Sequence, residues 1–160
     1  MVQLREYRIE DIPAVQAHAD NPNVVAFLRT IIPSPYTDKD AEWWVNDGAK
    51  LPGTCNKAIE YNGLFTGNVG AELKGKEAEI GIWLGEEFWG KGIGKTAVIE
   101  FTDYIFHNFG INRVTASIVS IHSASIKLFE SCGYTFKEPG KDKIEVHAGN
   151  YEYIIFEKYS

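Results

Sequence analysis

Gly90, Gly92 and Gly94 stand at alternate positions between Trp89 and Lys95, with Lys91 among them, in the segment Gly85–Thr96. A strand pattern ends just before this segment and a helix pattern begins within it. Backbone N–H groups at a helix N-terminus have no intrahelical acceptor and favour an anion, typically a phosphate. Glycines let the oxygens of such a ligand come close to the backbone, and Lys91 and Lys95 add positive charge in a chain of net charge −6. Three alternating glycines exceed what a tight strand-to-helix connection requires. Two common phosphate loops fail on named residues. Gly85-x4-Gly90-Lys91 is followed by Gly92, where a P-loop needs a Ser or Thr for Mg²⁺. A dinucleotide fingerprint needs GxGxxG in a parallel βαβ unit, and Lys95 after Gly94 breaks that spacing.

The elements that must hold this turn follow from periodicity. Residues 2–8 alternate as a strand, and Glu10-Asp11-Ile12-Pro13 opens a helix with proline in its first turn. Thr37, with Asp40 three residues on, caps a second helix that carries Trp43 and Trp44 and stops near Gly48. Residues 31–36, with Pro33 and Pro35, read as a loop. From Asn56 the period falls to two, with strands over 57–61, 66–74 and 77–84 separated by Asn62-Gly63 and Gly75-Lys76, an antiparallel meander. A helix over 93–108 buries a stripe of Ile93, Ala97, Phe101, Tyr104 and Ile105. A strand over 113–119, a short helix over 123–132 closed by Gly133, and strands over 134–138 and 151–158 complete the chain. The order β-α-α-β-β-β-α-β-α-β-β, without repeat or linker, predicts one mixed α/β (α+β) domain over residues 1–160.

Composition narrows the function classes. With 160 residues, 44% hydrophobic and 24% charged, the chain can bury a sizeable core. Its 16 Lys+Arg against 22 Asp+Glu leave no basic face for nucleic acid, and suit a cationic ligand such as an amine. The first residues mix Arg5, Glu6, Arg8, Glu10 and Asp11 among apolar ones, unlike a signal peptide, and no run is long enough to cross a bilayer. Cys55 and Cys132 are too few for a secreted disulfide scaffold, so reduced thiols in a cytoplasm are expected over a lone disulfide. The histidines at 18, 107, 122 and 147 lack metal-ligand spacing, and no metal is expected.

The stretch from Glu79 to Ala97 resembles the acetyl-CoA-binding motif of the GNAT family of N-acetyltransferases, in particular its RimJ/RimL-like ribosomal-protein N-terminal acetyltransferase branch. The family pattern Q/R-x-x-G-x-G/A has Trp89 at its first position here, then Gly92 and Gly94, and Trp-Gly-Lys-Gly is the branch's usual variant. The block from His122 to Tyr134 is similar to the branch's N-x-x-S-x-x-x-x-E-x-x-G-F. The resemblance spans essentially the whole chain. It implies a GNAT fold, with a mixed, mostly antiparallel central sheet flanked by helices, and acetyl-CoA as cofactor. Its pyrophosphate would lie on the amides of Trp89, Gly90, Lys91, Gly92, Ile93, Gly94 and Lys95, with Thr96 next to them. The pantetheine arm would run beside Ile82-Trp83-Leu84, where the strand parts from its parallel neighbour, and Gly81 is compatible with a bulge there.

The same resemblance implies two departures. His122 replaces the family's asparagine, and Phe129 stands where many members have a tyrosine that protonates the leaving thiolate. Ser125 is the natural substitute acid, since it shares a helix face with Leu128, Phe129 and Cys132. For the base, Glu72, Glu77 and Glu79 are candidates. Glu79 is chosen because alternation puts it on the face of Gly81 and Trp83, whereas His107 and His147 are worse placed. An amide at Ile82 or Trp83 would hold the oxyanion. Tyr36, Trp43 and Trp44 fall in the region that shapes the acceptor site in relatives, with Asp38, Asp40, Glu42 and Asp47 to steer a cation. The expected activity is direct acetyl transfer to a primary amine, such as a protein N-terminal α-amine. A polyamine or other small amine, or a non-catalytic CoA-binding module, are the alternatives, and a homodimer is compatible with all three.

Overall fold

The computed structural model describes residues 1–160. Its elements are β1 (Val2–Arg5), α1 (Ile12–Ala19), α2 (Pro22–Val25), α3 (Asp38–Asn46), β2 (Thr54–Tyr61), β3 (Leu64–Lys74), β4 (Glu77–Leu84), α4 (Ile93–Asn108), β5 (Arg113–Val119), α5 (Ser123–Ser131), β6 (Thr135–Pro139), β7 (Ile144–Val146), β8 (Gly149–Tyr151) and β9 (Tyr153–Tyr159). A seven-stranded sheet runs β1-β2-β3-β4-β5-β9-β6, and every pairing in it is antiparallel except β4 with β5. This is the mixed, mostly antiparallel sheet that the family resemblance implies, and β2–β4 form the antiparallel meander expected from the periodicity. Two elements had no counterpart among the expected ones: α2, and the β7–β8 hairpin, which falls largely between the strands expected over 134–138 and 151–158.

Strand alternation divides the core between the two faces of the sheet. Ile59, Val69, Ile80 and Val114 meet Ile93, Ala97, Phe101 and Ile105 of α4 and Phe129 of α5 on one face. Tyr7, Ala58 and Phe65 meet Val15 of α1 and Ala41 and Val45 of α3 on the other. Tyr104, expected on the buried stripe of α4, is instead 36% exposed, because its ring lies against Phe109 at 5.9 Å outside the core. The predicted cap of α3 is present as a reciprocal box. Thr37 Oγ1 accepts from the Asp40 amide at 3.2 Å, and Asp40 Oδ2 accepts from the Thr37 amide at 2.8 Å.

One polar cluster ties the first strand to the first helix. The Arg5 guanidinium donates to both carboxylate oxygens of Asp11, each at 2.8 Å, and to Glu60 of β2 at 2.7 Å. Burial of the Asp11 carboxylate works to raise its pKa, but the Arg5 bonds and the Arg8 amide outweigh burial and hold it below the ordinary range. A depressed carboxylate contributes stability above its unfolded pKa and loses it as pH falls through the folded one. Asp11→Ala leaves Arg5 with one of its two carboxylates and is expected to cost roughly 3 kcal/mol at pH 7. The difference between wild type and variant in urea titrations should begin to narrow below pH ~4 and go on shrinking as pH falls through the depressed pKa of Asp11.

Candidate active site

β4 and β5 pair over only three positions, Glu77 with Arg113, Ala78 with Val114 and Glu79 with Thr115. Beyond these, β4 keeps its full register with β3 up to Leu84, and β5 keeps its register with β9 up to Val119. The two strands therefore diverge, each held from its outer side. A cleft of about 840 Å³ opens between them, floored by Ile80–Leu84 and Ala116–Val119. The register of β4 is unbroken, so the bulge expected at Gly81 does not form; the slot arises from loss of pairing alone. Gly85 donates to the Thr66 carbonyl at 2.8 Å, so alternate amides of β4 point at β3 and the Ile82 amide points into the cleft. Of the two amides expected to hold the oxyanion, the one that faces the cleft is that of Ile82. The Trp83 carbonyl faces Gly67 of β3, and its ring packs on Phe65.

At one end of the cleft lies the glycine turn. Gly92 is the N-cap of α4 at φ 78° and Gly90 has φ 73°, backbone that side chains rarely adopt, with open space where a Cβ would stand. The amides of Gly90 through Lys95 donate to no group of the chain; the first bond of the α4 ladder is Thr96 N–H to the Gly92 carbonyl at 3.3 Å. Two residues of the expected cofactor-binding set have backbone amides that are bonded within the chain. The Trp89 amide donates to the Glu86 carbonyl at 3.1 Å, and the Thr96 amide belongs to the helix, while its hydroxyl turns back to Gly92 at 3.4 Å. Trp89 serves instead as a latch, its indole Nε1 donating to the Leu84 carbonyl at 3.0 Å and fixing the turn to the end of β4. Ile93 offers its amide only, since its side chain is buried in the core. Lys95 lines the cleft and Lys91 projects into solvent beside it.

Ser125, His122, Leu128 and Phe129 of α5 and its cap form the wall beside β5. Ser125 lines the cleft and its hydroxyl bonds no protein group, so the helix-start role available to it, a bond to its own backbone, is not taken. Phe129 is buried edge-on against Tyr134 at 5.1 Å. Tyr134 cannot supply the missing phenol: its hydroxyl is paired with Thr102 at 2.7 Å inside the core, and burial pushes its pKa well above the ordinary value. His122 is half-buried beneath Phe27, ring centroids 4.6 Å apart, and burial lowers its pKa. Cys55 and Cys132 are both buried and unpaired.

Glu79 lines the other end of the cleft. Although the residue is exposed, partial desolvation beside the cleft shifts its pKa upward, with Arg29 opposing the rise and Glu72, its register partner on β3, adding to it. Glu72 and Glu77 do not line the cleft. The expected acceptor wall is elsewhere. Trp43 and Trp44 fold over Gly48, leaving no room for a Cβ there, Trp44 packs edge-on against Tyr7, and Tyr36 is buried under α1. None of these, nor the carboxylates at 38, 40, 42 and 47, lines the cleft. The cleft is lined on that side by Asn23 and Val24 of α2 and by residues 26–29 just after it. The signal for α2 was present in Asn21-Pro22: Asn21 Oδ1 accepts from the Asn23 amide at 2.9 Å and Pro22 occupies the first turn.

A strand edge left open beside a helix N-terminus with unpaired amides defines a protein that lays a long, phosphate-bearing ligand along a strand and exposes its far end to a second reactant. Residues 2–135 match the Acetyltransferase (GNAT) domain, and the chain belongs to that family of acetyl-CoA-dependent N-acetyltransferases. It is 29% identical over 141 residues to the uncharacterized N-acetyltransferase p20 of Bacillus licheniformis, covering 82% of this chain and 77% of that protein. Among solved structures, RimJ of Mycobacterium smegmatis in complex with CoA-disulfide superimposes with a TM-score of 0.89 at 19% identity, covering 99% of this chain and 82% of that one. The spermidine N-acetyltransferase of Vibrio cholerae, with CoA and spermine, does so at 0.84 and 17%, covering 99% and 95%. Open space at Gly90 and Gly92, the unpaired amides and Lys95 fit a diphosphate. Gly92→Ala forces a methyl onto left-handed backbone beside those amides. Calorimetric titration with CoA is expected to show at least tenfold weaker binding, with the melting temperature lowered by only a few degrees.

Proposed function

We propose that the chain transfers the acetyl group of acetyl-CoA directly to an α-amine, such as a peptide N-terminus, in the cytoplasm, with Glu79 as proton acceptor and Ser125 as proton donor. The observation that carries this is the pairing of two groups across one cleft: a carboxylate with a raised pKa, and a hydroxyl without a protein partner. Acetyl-CoA supplies an activated acyl carbon as a thioester. Glu79 takes a proton from the incoming ammonium, and its raised pKa improves the match to that task. An α-amine, at pKa about 7.8, needs less help than a lysine-type amine at about 10.4. The Ile82 amide faces the opening where negative charge would develop on the carbonyl oxygen. Ser125 lines the same opening, and its Oγ–H can protonate the departing sulfur. Direct transfer is favoured because neither buried cysteine lines the cleft and no histidine pairs with one.

Free-thiol release from acetyl-CoA across a panel of amines and peptides tests the activity. Ser125→Ala is expected to lower kcat by about 10–100-fold with the KM for acetyl-CoA changed less than twofold. An unchanged kcat removes Ser125 from the chemistry. Glu79 must be ionised to act, so kcat at saturating acceptor falls as pH drops through its raised pKa, an acid limb displaced above the ~4.3 of a free glutamate. Glu79→Gln is expected to lower kcat and flatten that limb. A limb that persists unchanged in the variant belongs to the acceptor amine and excludes Glu79 as base.

A further inference from the structure

The acceptor end of the cleft holds a cation that no step above uses. Arg29 lines the cleft with Glu79. The chain has four arginines, and the other three lie near carboxylates: Arg5 on Asp11 and Glu60, Arg113 on Glu77 and Glu157, and Arg8 3.9 Å from Glu60. Arg29 alone has neither an ion-pair nor a side-chain hydrogen-bond partner, although its charge reaches Glu79. Its position is not that of a loose surface residue. The preceding backbone is bound to the β7–β8 hairpin through Ala148 N–H to the Ala26 carbonyl at 2.9 Å and His147 N–H to the Leu28 carbonyl at 3.1 Å. Arg29 itself bridges Val146, and Thr30 Oγ1 donates to Glu145 at 3.0 Å. A guanidinium mounted on pinned backbone, facing a cleft and lacking a carboxylate, is suited to an anionic ligand group.

We propose that the acceptor is an α-amine with a carboxylate beside it, the amine directed to Glu79 and the carboxylate to Arg29. This inference rests on the acetyl-transfer reading and narrows its substrate. A polyamine meets one carboxylate and one guanidinium of opposite sign, so the mouth offers it no net attraction. Glu86, the other carboxylate lining the cleft, is already bonded by Asn21 at 2.9 Å and Asn23 at 3.0 Å. Two sources supply the required chemistry: the carboxylate of a free α-amino acid, or an acidic side chain next to a peptide N-terminus. Both place the two charges within a few bonds of each other.

The test compares matched acceptors by thiol release: free amino acids against their carboxamides, and peptides beginning Ser-Asp against Ser-Asn and Ser-Lys, with spermidine alongside. The expected result is a kcat/KM about 10–100-fold higher for the carboxylate member of one of the matched sets, and that set identifies the source. Arg29→Gln should bring the ratio close to one, and Arg29→Glu should invert it, both with the KM for acetyl-CoA unchanged. Equal turnover of carboxylates and amides by the wild type, a preference for spermidine, or a ratio indifferent to both variants overturns the proposal and leaves acetyl transfer intact. Absence of thiol release with every amine overturns the acetyl-transfer reading, and this proposal with it. Arg29 is exposed, so neither variant should alter the melting temperature; if one does, the wild-type ratios decide.

Discussion

The short parallel pairing of β4 with β5 is the constraint from which the site follows. Buried strands satisfy nearly all their backbone groups, and a sheet that stops doing so midway leaves donors that something else must meet. Here β3 holds β4 along its length and β9 holds β5 along its length, while the two inner strands share three positions and then part. The cleft therefore costs little in folding terms, because each strand retains one complete ladder. It also has a polar wall of defined direction, on which the Ile82 amide faces the opening and the Trp83 carbonyl does not.

The glycine turn continues this geometry. A strand ending at Leu84 must enter a helix at Ile93 without closing the cleft, and the Trp89 indole holds the intervening turn to the strand end. Left-handed Gly90 and Gly92 then direct successive amides outward, and the helix supplies Ile93, Gly94 and Lys95 amides in the same direction. What anchors the arrangement is the opposite side of α4, where Ile93, Ala97 and Phe101 are buried against the sheet. Exposed donors at the helix start and buried apolar side chains behind them are two parts of one device.

The glycine turn and its strand, the half of the site proposed to hold the cofactor, could be read in the sequence as a strand–turn–helix unit because it is contiguous. Residues 79–95 run from strand to turn to helix, and periodicity, glycine spacing and charge all act within that one window. Trp89 and Thr96 sit within the motif while their amides are used inside the protein, a division of duty between side chain and backbone that the motif alone does not show. The acceptor half is assembled from residues 23–29, a hairpin at 144–151, α5 and β4, which periodicity alone cannot bring together. Tyr36, Trp43 and Trp44 attracted attention because large aromatics often line sites. In this chain they are packing residues around Gly48 and Tyr7.

Net charge says little about the interior of the cleft, for a related reason. A total of −6 suggests an attraction for cations, and the carboxylates at 38, 40, 42 and 47 supply much of the local density. Those groups do not line the cleft, and solvent and salt weaken the reach of exposed charges, with a Debye length of about 8–10 Å. Inside the cleft the potential depends on few groups: unpaired amides and Lys95 at one end, Glu79 and Arg29 at the other. Each end therefore presents its own pattern of charge, and neither follows the sign of the whole chain. The field that selects a ligand is the one inside the walls, and it is set by which strands part and by which backbone segments are pinned across the gap.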